Sequence, residues 1–264
     1  MNIVVLMKQV PDTTDVRIDR ETNTLIREGV PSIINPFDMY AIEEGLRIRE
    51  RAGSGTVTIM SMGPPQVEAS LRDAIALGVD DAVLLSDRAF AGSDTWSTSY
   101  TLAAGIRKRG PFDVVLCGKQ AIDGDTGQVG PGVAQFLDVP QVTHVRRIDV
   151  KPDGTAEAER LLDEGSDVLR VTLPAVFTVV KEINEPRLPS LKGKMRAKKA
   201  EITVWGSADL DASPVEFGLD GSPTRVVKIF APEPRAGGRV VSGSVEEVVE
   251  ELVREILPIV KGVA

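Results

Sequence analysis

The 264-residue chain is nearly devoid of the residue types that build most zinc sites and disulfide frameworks. It contains one cysteine, Cys117, and one histidine, His144. A single cysteine excludes an internal disulfide, and so few thiol and imidazole groups argue against a structural metal site. We interpret Cys117, at the end of an apolar run, as a small buried hydrophobe. We interpret His144, which has no evident partner, as structural.

Aromatic residues and positive charge are scarce as well. Aromatic residues make up 4% of the chain, and 31 basic residues against 39 acidic ones give a net charge of −8. This balance argues against a nucleic-acid binder, which needs phosphate affinity and base stacking. No apolar run approaches the roughly 20 residues that span a bilayer, and the N-terminus lacks the charged region of a signal peptide. We therefore expect a cytoplasmic protein without membrane insertion.

Short apolar runs alternate with longer segments of helical periodicity. Runs this uniformly apolar are typical of parallel strands covered by helices on both faces. Strands are predicted at 2–7, 56–62, 81–86 and 113–117, and helices at 35–52, 65–78 and 94–110. The pattern predicts an α/β fold with a doubly wound, mostly parallel, Rossmann-like sheet, and we expect the flavodoxin-like strand order. A hairpin is predicted within 146–171 and a further sheet strand at 173–180.

The composition changes near residue 230, which predicts a nucleotide-binding α/β domain at 1–230 and a linker with a C-terminal helix at 231–264. Ser244 and Glu247 have capping-box spacing. The helix carries an apolar stripe, formed by Val245, Val248, Val249, Leu252, Val253, Ile256 and Leu257. The pattern leaves two alternatives open: the helix folds back onto its own domain, or it forms an arm that reaches a partner subunit.

A glycine- and aspartate-rich stretch, CGKQAIDGDTGQVGP at 117–131, follows the predicted fourth strand. In doubly wound folds, ligands bind at the carboxyl ends of the strands where the strand order reverses, here expected between the first and fourth strands. Gly118 and Gly124 would let a ligand approach the backbone. Asp125 or Thr126 would cap a helix whose free N–H groups attract phosphate. The loop matches neither common phosphate-binding motif, so an ordinary turn stays open as an alternative.

Two other loops are expected at the same sheet edge, at 8–14 and 60–65. Asn35 and Pro36 have the residue types of the N-cap and first position of a helix, which would place polar groups nearby. If these two loops and the 117–131 stretch meet at one sheet edge, as expected, they favour a nucleotide-binding site.

Five stretches resemble one known family in order along the chain. They are KQVPD from residue 8, INPFDMYAIEEGLRIRE from 34, MSMGPPQVEASLRDAIALGVDDAVLLSD from 60, GKQAIDGDTGQVGP from 118 and NEPRLPSLKGKMRAKKAEI from 184. Over about residues 1–205 the chain is similar to the beta subunit of electron-transferring flavoprotein. The resemblance implies a heterodimer with an alpha subunit that holds one FAD, an adenine nucleotide in the beta subunit, and a C-terminal helix that packs on the alpha subunit.

The resemblance also implies a set of nucleotide-site residues. They are Leu6, Lys8, Asn35, Phe37, Asp38, Met62, Gly118, Lys119, Gln120, Ala121, Asp123, Gly124, Asp125, Thr126, Gly127, Gln128 and Val129. Within this set, the loop residues from Asp123 to Gln128 are expected to meet the pyrophosphate and ribose. For Leu6, Phe37 and Met62, ordinary packing is an equally good interpretation.

Beta subunits of this family are of two kinds, and Gly124 bears on which kind this chain resembles. The kind that serves acyl-CoA dehydrogenases binds AMP and carries an aspartate at this position, whereas electron-bifurcating members, similar to DGDT here, bind a second FAD. VPDTTD at 10–15 and SDRAFAGSDTWSTSY at 86–100 also resemble the bifurcating kind. Removing a side chain and its negative charge would admit a longer anionic ligand. We therefore favour FAD over AMP.

The bifurcating resemblance implies a redox function that needs no catalytic acid, base or nucleophile, because the flavin supplies the chemistry. NADH would give a hydride to the FAD of the beta subunit. One electron would pass through the alpha-subunit FAD to an acyl-CoA dehydrogenase-type flavoprotein, and the other to ferredoxin or flavodoxin. A nucleotide-binding regulatory module similar to universal stress proteins remains an alternative.

The segment 184–202 is the one strongly basic stretch of this acidic chain. A solvated loop is one interpretation of such a charge run. The resemblance implies instead a recognition loop for partner dehydrogenases, with Leu191 as apolar anchor. The cations expected to steer the encounter are Arg187, Lys192, Lys194, Arg196 and Lys198.

Overall fold

The computed structural model describes residues 1–12, 31–228 and 237–262. Parts of the predicted loop at 8–14, of VPDTTD and of the predicted linker lie outside the described residues. The chain forms two compact units, Met1–Lys228 and Ile229–Ala264. No helix in the described ranges combines the length and apolar character needed to cross a bilayer.

The larger unit alternates strands and helices. Its strands are β1 (Asn2–Leu6), β2 (Gln9–Pro11), β3 (Ser32–Ile34), β4 (Thr56–Met62), β5 (Asp81–Leu85), β6 (Val114–Gly118), β7 (Gln141–Val150), β8 (Thr155–Leu162), β9 (Gly165–Thr172), β10 (Ala175–Val179) and β11 (Thr203–Trp205). Its α-helices are α1 (Pro36–Ala52), α2 (Glu68–Leu77), α3 (Thr95–Arg109), α4 (Val129–Leu137) and α5 (Leu191–Lys199). The predicted alternation of strands and helices is confirmed.

One large sheet has the strand order β11-β5-β4-β1-β6-β10-β7-β8-β9, and β2 pairs separately with β3. Its pairs are parallel except for β7–β8 and β8–β9, so the predicted α/β fold with a mostly parallel sheet is confirmed. The predicted flavodoxin-like order is wrong, because the first four strands of this sheet along the chain, β1, β4, β5 and β6, lie in the order 3-2-1-4 of Rossmann folds, with β10 rather than the fifth strand next to β6. The sequence pattern locates strands, but the path of each crossover decides their order.

Both faces of the sheet are covered, which explains the uniformly apolar strands. Ile3 and Val5 of β1 face one buried cluster, formed with α1, α2 and α5. Val4 and Leu6 face the other cluster, formed with α3 and α4. Since successive side chains of a strand point to opposite faces, an apolar residue is needed at every position.

The antiparallel end of the sheet extends the predicted hairpin to three strands. β8 pairs with both β7 and β9, and the first turn contains Gly154 at φ 79°, the left-handed region that suits glycine. The predicted strand at 173–180 is confirmed as β10, which lies between β6 and β7.

Helix α5 belongs to the predicted recognition loop and is fastened to α2 by two arginines. The guanidinium of Arg72 donates to the carbonyl oxygens of Ala197 at 2.7 Å and Ala200 at 3.0 Å. Arg196 donates in return to the carbonyl oxygen of Ile75 at 2.7 Å. Gly193 lies so close to α2 that a Cβ there would overlap a carbonyl oxygen of that helix. The segment is therefore a docked helix rather than a free loop.

The smaller unit contains α6 (Val245–Val260). The predicted capping box is confirmed: Ser244 Oγ accepts the N–H of Glu247, and the Glu247 carboxylate accepts the N–H of Ser244. None of the α6 side chains is buried, and Val249, Leu252 and Ile256 are 51%, 42% and 49% exposed. Most side chains of the apolar stripe are thus exposed.

We predict that Gly193→Ala lowers the free energy of unfolding by about 1–3 kcal/mol, because the new methyl group overlaps the backbone of α2. Helix propensity alone predicts that the same substitution raises the free energy of unfolding by about 1 kcal/mol. The sign of the measured change therefore distinguishes the two effects. Urea unfolding and amide exchange across 191–199 measure the effect. The matched control is Gly165→Ala, where a Cβ meets nothing within 4 Å. Equal stability of the two variants would show that α5 is not closely docked.

Candidate nucleotide-binding site

The buried carboxylate of Asp38 joins three elements at the carboxyl edge of the sheet. It accepts the backbone N–H of Lys8, just after β1, at 2.8 Å and that of Gly118, at the end of β6, at 3.0 Å. β1 and β6 are neighbours, with Ile3 opposite Val114, and the strand order reverses between them, which is where the sequence predicts the crevice. Asp38 itself sits in the first turn of α1 and is 5% exposed. Burial raises its pKa to about 7, against the lowering effect of the two N–H donors.

Gly118 is a glycine because α1 approaches β6 closely. A Cβ at this position would lie 2.6 Å from both Phe37 Cβ and Asp38 Oδ1. The prediction that Gly118 exists to admit a ligand is therefore corrected: its missing side chain makes room for α1. Gly124 is different, since a Cβ there would have only Lys8 Nζ, at 4.0 Å, as a neighbour. The space around position 124 is therefore open.

Asn35 holds the loop after β6 instead of capping α1 with its side chain. It occupies the N-cap position and Pro36 follows at the first helical position, as predicted. Its Nδ2, however, donates to the carbonyl oxygen of Gln120 at 2.9 Å, and its Oδ1 accepts the N–H of Ile122 at 3.1 Å. Asn35 is 1% exposed, so these bonds are shielded from water. They fix the start of the loop against α1.

The acidic residues of the loop are satisfied by neighbours within the site. Asp123 Oδ1 lies 2.6 Å from Lys8 Nζ, and Asp125 accepts a hydrogen bond from Gln120 Nε2. Asp125 has φ 56°, and its N–H donates to the carbonyl oxygen of Ala121 at 2.8 Å, so the loop turns back on itself. The prediction that Asp125 or Thr126 caps the next helix is wrong, because the chain makes this extra turn first.

Helix α4 begins without a side-chain cap. Its N-cap is Gln128, whose side chain makes no capping bond to the helix and accepts the hydroxyl of Thr95 at 2.9 Å. The unpaired N–H groups of such a helix end favour a negatively charged group. The attraction for phosphate stays a prediction, with Gln128 rather than Asp125 or Thr126 at the helix boundary.

The structure brings most of the predicted nucleotide residues to one place. Lys8, Asn35, Phe37 and Asp38 adjoin the loop from Gly118 to Val129 through the bonds above, and Lys119 Nζ lies 5.0 Å from the ring centre of Phe37. Leu6 and Met62 pack against the α3/α4 cluster, in line with the packing interpretation. Sequence reasoning missed Arg160, whose Nε is buried beside this region. The spacing of Ala156, Ala158 and Arg160 on one strand face was the available signal.

The cations of the basic segment divide into those bonded within their own unit and those without an ion pair to a described residue. Arg187 forms ion pairs at 2.7 Å with the buried Glu43 and with Glu50, and Arg196 donates to backbone carbonyls of the α2 region. The prediction that these two arginines steer a partner is corrected, because their guanidinium groups serve their own unit. Leu191 is 78% exposed. Lys192, Lys194 and Lys198 are exposed and form no ion pair with any described residue.

Comparison with known protein families shows which family has this sequence. A family model described as electron transfer flavoprotein domain matches residues 22–210. The chain belongs to the electron transfer flavoprotein family. This membership sets aside the alternative of a universal-stress-like module.

Similarity to named members of the family extends over nearly the whole chain. The electron transfer flavoprotein subunit beta of Thermoanaerobacterium thermosaccharolyticum is 51% identical over 257 residues, 97% of this chain and 98% of the relative. Caffeyl-CoA reductase-Etf complex subunit CarD of Acetobacterium woodii is 49% identical, with the same coverage of 97% and 98%. Protein FixA of Azotobacter vinelandii is 48% identical, covering 89% of this chain and 86% of the relative. This family member is therefore of the beta-subunit type.

We predict that Asp38 makes the stability of the protein fall as pH rises from about 4 to about 7. Below this window, Asp38 is protonated in both folded and unfolded chains. Inside it, only the unfolded chain is ionised at this residue, so unfolding releases a proton and higher pH favours unfolding. Above this window, Asp38 is ionised in both folded and unfolded chains, so its ionisation no longer makes the stability depend on pH.

The Asp38→Asn variant removes this titration. The difference between the unfolding free energies of wild type and variant should change by up to about 1.4 kcal/mol per pH unit within the window. Urea denaturation from pH 4.5 to 8 measures it. Parallel curves for the two proteins would contradict a raised pKa at Asp38.

Proposed function

We propose that this electron transfer flavoprotein beta subunit binds FAD and takes electrons from NADH. In this proposal it divides them between a high-potential acyl-CoA dehydrogenase-type flavoprotein and ferredoxin or flavodoxin. Gly124 is the observation on which the proposal rests. Its position faces open space apart from Lys8 Nζ at 4.0 Å, so neither side-chain bulk nor an additional carboxylate limits what the crevice accepts.

The residues around the crevice fit a dinucleotide. The uncapped N-terminus of α4 suits a pyrophosphate, and the loop residues Asp123, Gly124, Asp125 and Thr126 are exposed. Pairing with Lys8 offsets the negative charge of Asp123, which reduces its repulsion of phosphate. Asn35 and Asp38 keep the loop and the two strand ends in register. Bound FAD would supply the redox chemistry, and these residues would hold it in place.

The names of the relatives are of two sorts. One relative is named as a subunit of a caffeyl-CoA reductase-Etf complex, whereas others are named only as electron transfer flavoprotein subunit beta. A beta subunit that holds structural AMP and shuttles electrons from acyl-CoA dehydrogenases is the alternative. Nucleotide content distinguishes the two.

Two surfaces would serve the protein partners. The apolar stripe of α6 would pack on the alpha subunit, because an uncovered stripe of this length is unfavourable in water. The exposed Leu191, with Lys192, Lys194 and Lys198 around it, would dock the dehydrogenase. Arg187 and Arg196 would hold that surface in position through their bonds to α1 and α2.

We predict that Gly124→Asp exchanges FAD for AMP at the beta site. The new carboxylate joins Asp123 and Asp125 beside the dinucleotide phosphates, and we expect the ratio of bound FAD to AMP to fall about tenfold or more, equivalent to about 1.4 kcal/mol. Acid extraction and chromatography of nucleotides from the heterodimer, co-expressed with its alpha subunit, measure this ratio.

Gly165→Asp is the control for this exchange, since a Cβ at Gly165 meets nothing within 4 Å and the position lies on strand β9. It should leave the ratio unchanged. Retention of FAD by the Gly124→Asp heterodimer would contradict the proposal that residue 124 selects between FAD and AMP.

We also predict that Leu252→Asp weakens the heterodimer at least about tenfold, because it places a charge within the apolar stripe. Glu250→Asp is the control, as it introduces the same residue at an exposed position outside the stripe. Analytical ultracentrifugation of the co-expressed subunits measures the dissociation constants. Equal constants for the two variants would mean that α6 does not contact the alpha subunit through this stripe.

A further inference from the structure

Residues 184–190, here named the presenting segment, lead into α5 and hold apolar side chains out in water. Leu188 is 89% exposed, and Leu191, the first residue of α5, is 78% exposed. Exposure of such side chains is unfavourable, so an unrestrained segment would fold them against the protein surface. The segment belongs to no helix or strand. Its exposed shape therefore depends on side-chain contacts.

Arg187 bonds the presenting segment to two carboxylates of α1. Its guanidinium donates to Glu43 Oε2 at 2.7 Å through Nε and to Glu50 Oε1 at 2.7 Å through Nη1. Its backbone N–H also donates to Glu43 Oε2, at 3.2 Å. The planar guanidinium accepts only a narrow range of orientations when it pairs with two carboxylates. Residue 187 is thus held by both its backbone and its side chain, directly before the exposed Leu188.

The start of the presenting segment is bonded to the same helix. Asn184 Nδ2 donates to the carbonyl oxygen of Tyr40 at 3.0 Å and to Glu44 Oε2 at 3.2 Å. Arg47 Nη2 donates to the carbonyl oxygen of Glu185 at 3.0 Å. Helix α1 thus bonds to the segment at residues 184, 185 and 187.

Of the two carboxylates that pair with Arg187, Glu43 is the one shielded from water. Glu43 is 3% exposed, whereas the side chain of Glu50 is 50% exposed, so water screens the Glu50 pair more strongly. Burial by itself would raise the pKa of Glu43, but hydrogen bonds from Arg187 and Arg47 outweigh burial and lower this pKa. Glu43 is therefore ionised at neutral pH, and its charge supports both arginines.

We propose that Glu43 is a positioning residue for docking of the dehydrogenase. Its carboxylate, acting through Arg187, keeps the presenting segment in the shape that exposes Leu188 and Leu191. Glu43 itself is buried and would not contact the partner. A segment that is already held in its bound shape loses less conformational freedom on binding, so its complex is tighter. The inference rests on the proposed function, in which this surface docks an acyl-CoA dehydrogenase-type flavoprotein.

Glu43→Gln tests the inference, because it removes the charge and keeps the shape of the side chain. The probe is a purified acyl-CoA dehydrogenase that exchanges electrons with the wild-type heterodimer. We expect the dissociation constant of this complex to rise about tenfold and amide exchange at 187–191 to become faster. The KM for the heterodimer should rise in parallel while kcat stays within about twofold. A general loss of folded protein would instead lower the apparent kcat.

Glu159→Gln is the matched control. Glu159 also pairs with two arginines, but these are Arg146 and Arg147 of β7, so its substitution should change neither KM nor the dissociation constant. If Glu43→Gln does not yield a folded heterodimer, Arg187→Met enters the same comparison, because its side chain is partly exposed. Unchanged nucleotide content confirms that each variant is folded.

The double variant Glu43→Gln/Arg187→Met shows whether the two residues act as a unit. If Glu43 acts through Arg187, the double variant binds the dehydrogenase no more weakly than Arg187→Met alone. Fully additive losses would overturn the inference, since Glu43 would then act by another route.

The wild type and Leu191→Ala separate this inference from the function on which it rests. If no acyl-CoA dehydrogenase exchanges electrons with the wild type, or if Leu191→Ala binds as tightly as the wild type, the proposed docking surface and the inference are contradicted together. If Leu191→Ala binds weakly and Glu43→Gln binds as tightly as the wild type, the inference alone is overturned.

Discussion

The carboxylate of Asp38 is the contact on which the site depends. It accepts backbone N–H groups from the ends of two neighbouring strands, β1 and β6, and it does so from the first turn of α1. Burial opposes its ionisation, whereas the hydrogen bonds from the two backbone N–H groups favour the ionised form. One side chain thereby sets the relative positions of the helix and of both strands that border the crevice.

The loop after β6 takes its shape from this frame. Gly118 lets α1 approach, Asn35 holds the backbone at Gln120 and Ile122, and Lys8 holds Asp123. These contacts occupy the side chains of Asn35 and Asp123, whereas the position of Gly124 faces open space and Gln128 makes no side-chain cap at the start of α4. Ligand binding would therefore depend on backbone groups and on open space. This suits a cofactor that itself supplies the redox chemistry.

Sequence periodicity was sufficient to predict the α/β class, the parallel strands and the capping box of α6, because burial on both sheet faces and cap chemistry leave local signals. It was insufficient for the strand order, which depends on crossover paths, and for the side chains of Asn35, Arg187 and Arg196, whose partners lie far away in the chain. Arg187 looked like a free cation in a basic run, but its partners, Glu43 and Glu50, are on α1. The resemblance to the family supplied the nucleotide residues as a set, and the structure distinguishes those that hold the backbone from those that face the crevice.

The central claim is that the crevice between β1 and β6 holds FAD. Counting the nucleotides released from the purified wild-type heterodimer tests it most directly, with absorbance for flavin and chromatography for AMP. The account predicts two FAD per heterodimer and no AMP. One FAD accompanied by one AMP would contradict it.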